Sequence, residues 1–487
     1  MTAFHAAAEP PTTFSADDIA RGLPPSSPRA LIVGENRVWD VTVAEAGLVV
    51  AGSFELGEQV NVQPPRGPRQ AIRRIPLSAH LNAGTQFGLV AIDGIGPEIH
   101  PLALFDEIDR VIQDDGVVLL RGMKMEDGSE RVINWVRYWT AIAQRCGYRL
   151  LEEPRDGMEH GQGSFQLAFQ RAEPPRWRIH HVLPGDFAEV ATLFSDVFGQ
   201  PLSQALWSWK YGDGRGNAVS VRRDGVLVAH YGGLYRDILL FGKPEWAFQI
   251  CDVMVHGKER GVLTRQGPFF LAAATSAEIY GPLGYGFPNA RAMRVAEKMG
   301  LYAPAGKLVE VRWPPAQTRS RVATKVRHLQ PDRPADRHAV DRLWAKMASD
   351  LSDSAVGVRN WEYLQQRYVR HPHHHYEILV ISQRLTGRAL GIAVLRNHEG
   401  RCELLDIIAP LRQIALVLDQ ARRMTGIWGL DHLYCWITEN HAHRFLACEG
   451  HEHPLDVSIP TSCWTADPRA EAFSGKWWLT SGDTDFH

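Results

Sequence analysis

The sequence predicts an α/β chain built of three modules, and three observations predict it. First, FGLVAIDG (87–94), LALFDEIDRVIQDDG (102–116), VVLLRG (117–122) and INWVRYWTAIAQRCGY (133–148) alternate fully apolar strands with helically spaced segments, the pattern of a covered parallel sheet. Second, from Trp177 the order becomes strand, helix, hairpin, long strand, helix, short strand, helix, which suits a mixed sheet. Third, that order returns after residue 322. Two Pro- and Arg-rich stretches, RAEPPR (171–176) and PPAQTRSR (314–321), read as linkers. The expected boundaries are a disordered tail at 1–28, with one short helix opened by Ser15, a first α/β module at 29–170, a middle module at 177–313 and a last module at 322–487.

Composition narrows the function classes. A chain of 487 residues exceeds the size at which a single core stops growing. Its net charge is −2 and it has no long basic block, which argues against nucleic acid or an anionic membrane as partner. A small or protein-borne substrate fits better. The six cysteines (Cys146, Cys251, Cys402, Cys435, Cys448, Cys463) show no CxxC spacing, so they predict core thiols in a reducing cytosol and neither a disulfide frame nor a zinc knuckle. The N-terminus lacks a basic start followed by an apolar core, and the longest apolar runs, such as FFLAAATSAEIY, fall short of a membrane span. The expectation is a soluble, cytoplasmic protein without a membrane span.

In the first module the strand ending in Asp93, the helix after it and the strand VVLLRG resemble the second half of a class I methyltransferase, a Rossmann-like fold. The first half departs from that family. ALIVGEN (30–36) stands where the family has a glycine-rich loop, yet only Gly34 is present, and without such glycines the backbone cannot come close to a nucleotide-like cofactor. The module reads as a truncated remnant used for scaffolding or partner docking.

The middle module carries the chemistry. WRIHHVL is a strand, DFAEVATLFSDVFG a helix, and AVSVRR with VLVAHYGGLY a hairpin turning at Asp224-Gly225. AFQICDVMVH is a long strand, PFFLAAATSAEIYG a helix, YGFP a short strand and NARAMRVAEKMG a last helix. Between the long strand and the next helix lies VHGKERGVLTRQGPFF (255–270), with Gly261 and Gly267 for flexibility, Thr264 for a hydroxyl, Arg260 and Arg265 for charge, and Pro268 as an early helical residue. A helix start behind such a loop suits an anion, because its amides are unpaired and its dipole end is positive.

Over 177–313 this order and these motifs resemble the GCN5-related N-acetyltransferase (GNAT) superfamily. The resemblance implies that the loop holds the pyrophosphate of acetyl-coenzyme A or another acyl-coenzyme A through Arg260, Gly261, Thr264, Arg265 and Gly267, although Leu263 stands where the family has Gly or Ala. It implies that the backbone near Val253 and Val255 binds the thioester carbonyl and that Asn289 bonds the pantetheine arm, with Ala292 leaving it room. The helix matches the family at Asn289, Ala292, Val295, Glu297, Lys298, Gly300 and Leu301 but places Ala296 where the family has its acidic tyrosine. Three outcomes stay open: another tyrosine among Tyr235, Tyr280, Tyr285 and Tyr302 supplies the proton, the thiolate leaves unaided, or the module binds a thioester without transferring it. As base, Asp252 is the carboxylate on the long strand, with His230, His256 and Tyr235 as weaker alternatives. The catalytic candidates are Asp252, Tyr235 and Tyr302.

The last module resembles a degenerate second GNAT-like copy. Its strand CELLDIIAP is followed by APLRQIALV, with Pro410 and no glycine, so the phosphate loop is absent, and Ala447 again replaces tyrosine. The aromatic patches Trp207-Trp209-Tyr211 and Trp361-Tyr363-Tyr368 are expected to pack the same corner of each copy. HPHHH (371–375) is read as a loop, so no metal is assigned. The resemblance implies acetyl transfer to a small-molecule amine, with an amino sugar of polysaccharide biosynthesis as acceptor. The alternatives are thioester handling on an acyl carrier protein, as in polyketide loading, and a non-catalytic scaffold.

Overall fold

A computed structural model describes residues 14, 29–34, 49–54, 85–96, 99–123, 135–159, 162–172, 175–280, 283–316, 323–463 and 470–484. The short helix expected at Ser15, residues 173–174 of the first linker and residues 317–321 of the second lie outside these residues. The chain divides into two compact units, one of residues 1–183 and 219–229, the other of 184–218 and 230–487.

The first unit contains β1 (Arg29–Val33), β2 (Val49–Phe54), β3 (Phe87–Ile95), α1 (Pro101–Val111), β4 (Ile112–Met123), α2 (Trp135–Arg145), β5 (Tyr148–Leu150), β6 (Arg155–Glu159) and β7 (Gln162–Arg171). The strand order is β2-β1-β3-β4-β7-β5, with β6 also on β7. The four strands from β2 to β4 run parallel, as the apolar runs predict. The all-parallel expectation fails at β7, which pairs antiparallel with β4, β5 and β6. Helix α1 stops five residues before the expected Gly116, because Ile112 is already extended (φ −93°, ψ 142°) and opens β4. Arg121 donates to Asp93 at 3.0 Å where β3 and β4 end. The same unit holds β8 (Arg178–His181), paired antiparallel with the 219–222 stretch of β9 (Gly216–Arg223). The turn after β9 has φ 52° at Asp224 and 79° at Gly225, the two left-handed residues that a tight hairpin needs.

The second unit contains α3 (Phe187–Phe198), α4 (Gln204–Tyr211), most of β10 (Val226–Leu240), β11 (Lys243–Val255), α5 (Pro268–Tyr280), β12 (Gly284–Tyr285), α6 (Ala290–Lys298) and β13 (Tyr302–Trp313). Then follow β14 (Thr324–His328), α7 (Pro334–Asp350), β15 (Ala355–Gly357), α8 (Trp361–Leu364), β16 (Glu377–Gln383), β17 (Ala389–His398), β18 (Arg401–Ile408), α9 (Ile414–Ile427), β19 (Leu433–Thr438), β20 (His451–Ser462) and β21 (Trp477–Trp478). One set of strands runs β12-β11-β10-β15-β21, and a second sheet runs β14-β16-β17-β18-β19-β13-β20. Strands from each side of the 314–321 linker thus enter the sheet on the other side: β13 lies between β19 and β20, while β15 and β21 extend the β10 edge. Where the repeated order calls for its last helix, before Ala447, the chain forms a 3₁₀ turn at Glu439–Arg444. Left-handed φ values at Cys448 (62°) and Glu449 (65°) end it before β20 begins.

The segment 477–484 is buried throughout. Arg359, fully buried, donates to Asp406 at 2.8 Å and to Asp483, and Arg236 donates to Asp483 at 3.3 Å. Tyr363 and Tyr368 each donate to Asp406 at 3.1 Å.

Candidate active site

The alternation of β11 breaks at Cys251 and Asp252. Both reach the same tyrosine: Tyr211 donates to the Asp252 carboxylate at 2.7 Å and lies 3.4 Å from the Cys251 sulfur. Successive strand residues point to opposite faces unless a bulge intervenes. Asp252 also has φ 49°, a left-handed conformation for a non-glycine residue inside a strand. Such strain persists only where surroundings enforce it, and it concentrates at functional sites.

The enforcing groups come from α4. Ser203 caps this helix by accepting the Leu206 N–H at 3.1 Å, and the helix presents Lys210 and Tyr211 to β11. The Lys210 Nζ lies 2.8 Å from Asp252 Oδ1 in a pair almost wholly removed from water. Burial pushes the Asp252 carboxyl up, but the Lys210 charge and the hydrogen bonds from Lys210 and Tyr211 hold it below the usual carboxylate range. Burial and the neighbouring carboxylate push the Tyr211 hydroxyl far above its ordinary value. Asp252 is thus an ion-paired anchor with both oxygens engaged.

His230, on the neighbouring β10, has Nδ1 2.7 Å from the Asp252 carbonyl oxygen. A carbonyl only accepts, so Nδ1 carries the proton and Nε2 keeps its lone pair. Nε2 is buried and has no hydrogen-bond partner among the described residues. Burial lowers the pKa of the ring, which favours the neutral form.

The other catalytic candidates lie apart from this cluster. Tyr235 accepts from Asn217 at 2.8 Å and packs on Trp246 and Phe248; burial pushes its hydroxyl up to about 12. Tyr302 is hydrogen-bonded to Tyr231, and burial raises its pKa. That pair borders a small cavity with Ile250, Ser276 and Leu301, where the buried Ser276 hydroxyl has no partner among the described residues. Tyr280 donates to the Ala218 carbonyl at 3.3 Å and Tyr285 to Gln249 at 3.2 Å. Ala296 is fully buried. His256 accepts the Lys258 N–H at 3.3 Å in the loop.

The binding candidates surround a gap at the end of β11. Strand β12 pairs with β11 only at Phe248↔Gly284 and Gln249↔Tyr285. A Cβ at Gly286 would stand 3.2 Å from Ile250, so the chains still touch there. Pro288, in contrast, accepts from Ser458 N–H at 2.9 Å. Val253 and Val255 therefore follow the point of divergence, half-buried. Asn289, across the gap, caps α6 by accepting the Ala292 N–H at 2.9 Å.

The loop between β11 and α5 is exposed from Arg260 to Gln266 apart from half-buried Val262. Arg260 Nε donates to the Val255 carbonyl at 2.9 Å. Gly267 N–H donates to Thr264 at 2.9 Å, and a Cβ there would meet the Val262 oxygen at 2.3 Å. Gly267 is therefore the glycine the loop requires, since Gly261 faces open space. The amides of Arg260, Gly261, Thr264 and Arg265 have no partner among the described residues.

The sequence pattern did not reveal Lys210, set Tyr211 in an aromatic core patch, and ranked His230 below Asp252 as the base. The available signal was a lysine beside that patch, since a buried lysine needs a partner. Among the described residues no group of three or more His, Cys, Asp or Glu is placed to hold a metal.

Residues 178–267 match the family model described as an acetyltransferase (GNAT) domain. No curated protein matches the chain. Three solved structures are similar in part. A conserved protein of unknown function from Enterococcus faecalis V583, titled a probable N-acyltransferase, is 12% identical over 59% of this chain and 73% of its own, with a TM-score of 0.47. A GCN5-related N-acetyltransferase from Kribbella flavida is 16% identical over 58% and 70%, with a TM-score of 0.43. Saccharomyces cerevisiae N-myristoyltransferase with bound myristoyl-CoA is 10% identical over 59% and 79%, with a TM-score of 0.41. The chain thus carries a GNAT acetyltransferase domain at residues 178–267, running from β8 through the loop to Gly267.

Proposed function

We propose that the chain transfers the acyl group of an acyl-coenzyme A, acetyl in the first instance, to an amine, with an amino sugar as the candidate acceptor. The observation that carries this reading is the bulge at Asp252: a left-handed residue in mid-strand, clamped by Lys210 and Tyr211, directly before the gap lined by Val253 and Val255. The remnant reading of the first unit and the degenerate-copy reading of residues 322–487 belong to the same proposal.

The residues suit an acyl-coenzyme A. Unpartnered loop amides, Arg260 and Arg265 would hold its phosphates, Gly267 keeps the loop tight enough for close approach, and the gap beside Asn289 takes the pantetheine arm. The bound molecule supplies an activated thioester. The chain's part is to orient the thioester carbonyl with the amides near Val253 and Val255, and to move protons. His230 Nε2 takes a proton from the incoming ammonium, in place of Asp252, whose oxygens are occupied. Tyr302, its hydroxyl kept protonated by burial, is the proton donor that replaces the tyrosine missing at Ala296. Tyr235 contributes packing.

Calorimetric titration with acetyl-coenzyme A, for the natural chain and for Arg260→Glu/Arg265→Glu, tests the reading. Micromolar binding that the double substitution weakens at least about tenfold is expected. Absence of binding by the natural chain sinks it. With binding established, thiol release over a panel of amines should depend on His230, and an unchanged rate and pH profile in His230→Gln would remove that residue from the mechanism.

A further inference from the structure

Helix α6 buries Met293 and Ala296 and exposes Arg291, Arg294 and Lys298. Steps of three and four residues put these cations in one stripe about 10 Å long on the solvent side of the helix. None of the three has a carboxylate partner among the described residues. The stripe continues onto the loop: Arg265 Nη2 comes within 3.8 Å of where a Cβ of Gly300 would stand, just past the end of α6. Lys258, Arg260 and Arg265 are exposed there too, and Leu263 is 54% exposed among them. The chain as a whole carries a net charge of −2, so this is a local concentration of positive charge.

We propose that this rim receives an acidic protein that delivers the acyl group on its own phosphopantetheine thioester. The inference rests on the thioester site proposed above, since the arm would enter the same gap. Coenzyme A does not by itself account for the stripe. Its phosphates are met by the loop, whereas Arg291, Arg294 and Lys298 stand exposed on α6, where the acidic face of a docked protein reaches them. Charge complementarity then calls for an acidic face, and Leu263 offers an apolar anchor at its edge. Nucleic acid is disfavoured, because α6 carries no aromatic side chain on which a base would stack.

The test uses the full chain and a fluorescently labelled holo acyl carrier protein of bacterial fatty acid synthesis as probe. Anisotropy is measured for the natural chain, for Arg291→Glu/Arg294→Glu/Lys298→Glu, and for the control reversals Arg342→Glu/Arg412→Glu, which lie on other exposed surfaces. Acetyl-coenzyme A is titrated in parallel. We expect carrier binding that weakens with salt and falls at least about tenfold in the triple variant. The control and the coenzyme A affinity should change less than about twofold. No carrier binding, or carrier binding indifferent to the triple reversal, overturns the docking surface. Equal loss of carrier and coenzyme A also overturns it, because the stripe would then serve the phosphates of coenzyme A. Coenzyme A binding without carrier binding leaves the acyltransferase reading standing alone. Carrier binding without coenzyme A binding has the opposite result.

Discussion

The Lys210 ammonium stands 2.8 Å from the Asp252 carboxylate, with only 6% and 4% of the two side chains exposed. One helix thereby holds the neighbouring strand in a conformation that its sequence alone would not adopt. Removing one partner leaves the other charge buried, so Asp252→Asn or Lys210→Met should each cost roughly 3–5 kcal/mol, while the double variant recovers most of it. Urea midpoints of the four proteins measure the coupling. Additive losses would show that the pair is not a unit.

Gly267 and Gly261 should part company on substitution. Alanine at 267 overlaps the Val262 carbonyl at 2.3 Å, whereas alanine at 261 meets nothing. Gly267→Ala is expected to weaken acetyl-coenzyme A binding at least about tenfold, and Gly261→Ala less than about twofold. Calorimetry on both variants decides whether loop shape matters as argued.

Stability should fall as the solution is acidified from neutrality. Burial lowers the pKa of His230, and burial followed by the charge of Arg444 lowers that of His441 to about 4. A depressed folded pKa means the unfolded chain takes the proton first, so the stability is full above the unfolded value of about 6.5 and is lost as pH falls toward the folded one. Asp252 adds a second loss at lower pH, below about 4, because its folded pKa is also depressed. Chemical denaturation between pH 4 and 8 gives the profile, and a flat curve would contradict the neutral state assigned to His230.

Arg359 joins Asp406 to Asp483 with all three side chains fully buried. Arg359→Met leaves the buried Asp406 without its cation and Asp483 to Arg236 alone, and a loss of roughly 3–5 kcal/mol is expected. If Arg359→Met/Asp483→Asn restores little of that stability in the same denaturation assay, the cluster is not the clasp its geometry describes.

Several elements were readable because local chemistry decides them. Asp224-Gly225 forms the tight turn its residue types dictate, and Asn289, a residue type favoured at helix starts, caps α6. The loop from His256 to Gly267 lies between strand and helix as its glycines and Pro268 suggest. What the sequence hid depends on partners distant in the chain. The bulge at Asp252 needs Lys210 and Tyr211 from another element, and nothing in ICDVMVH marks a left-handed aspartate. The strand exchange across the 314–321 linker is equally silent, because β13 is apolar enough for either sheet. The antiparallel β7 was partly legible in the mixed polarity of QGSFQLAFQR, which differs from the unbroken apolar runs beside it.

The buried segment at 477–484 has a consequence for biosynthesis. Gln249 and Asp483, joined by a hydrogen bond, are 234 residues apart, and at about 5–20 residues per second their meeting waits roughly 10–50 seconds on the ribosome. Until Ala355–Gly357 emerge, Ile238–Leu240 of β10 lack their partner on that edge, and Ala355–Val356 in turn wait for Trp477–Trp478. The nascent chain therefore carries an open strand edge through part of its own translation, which makes the yield of active protein sensitive to elongation speed.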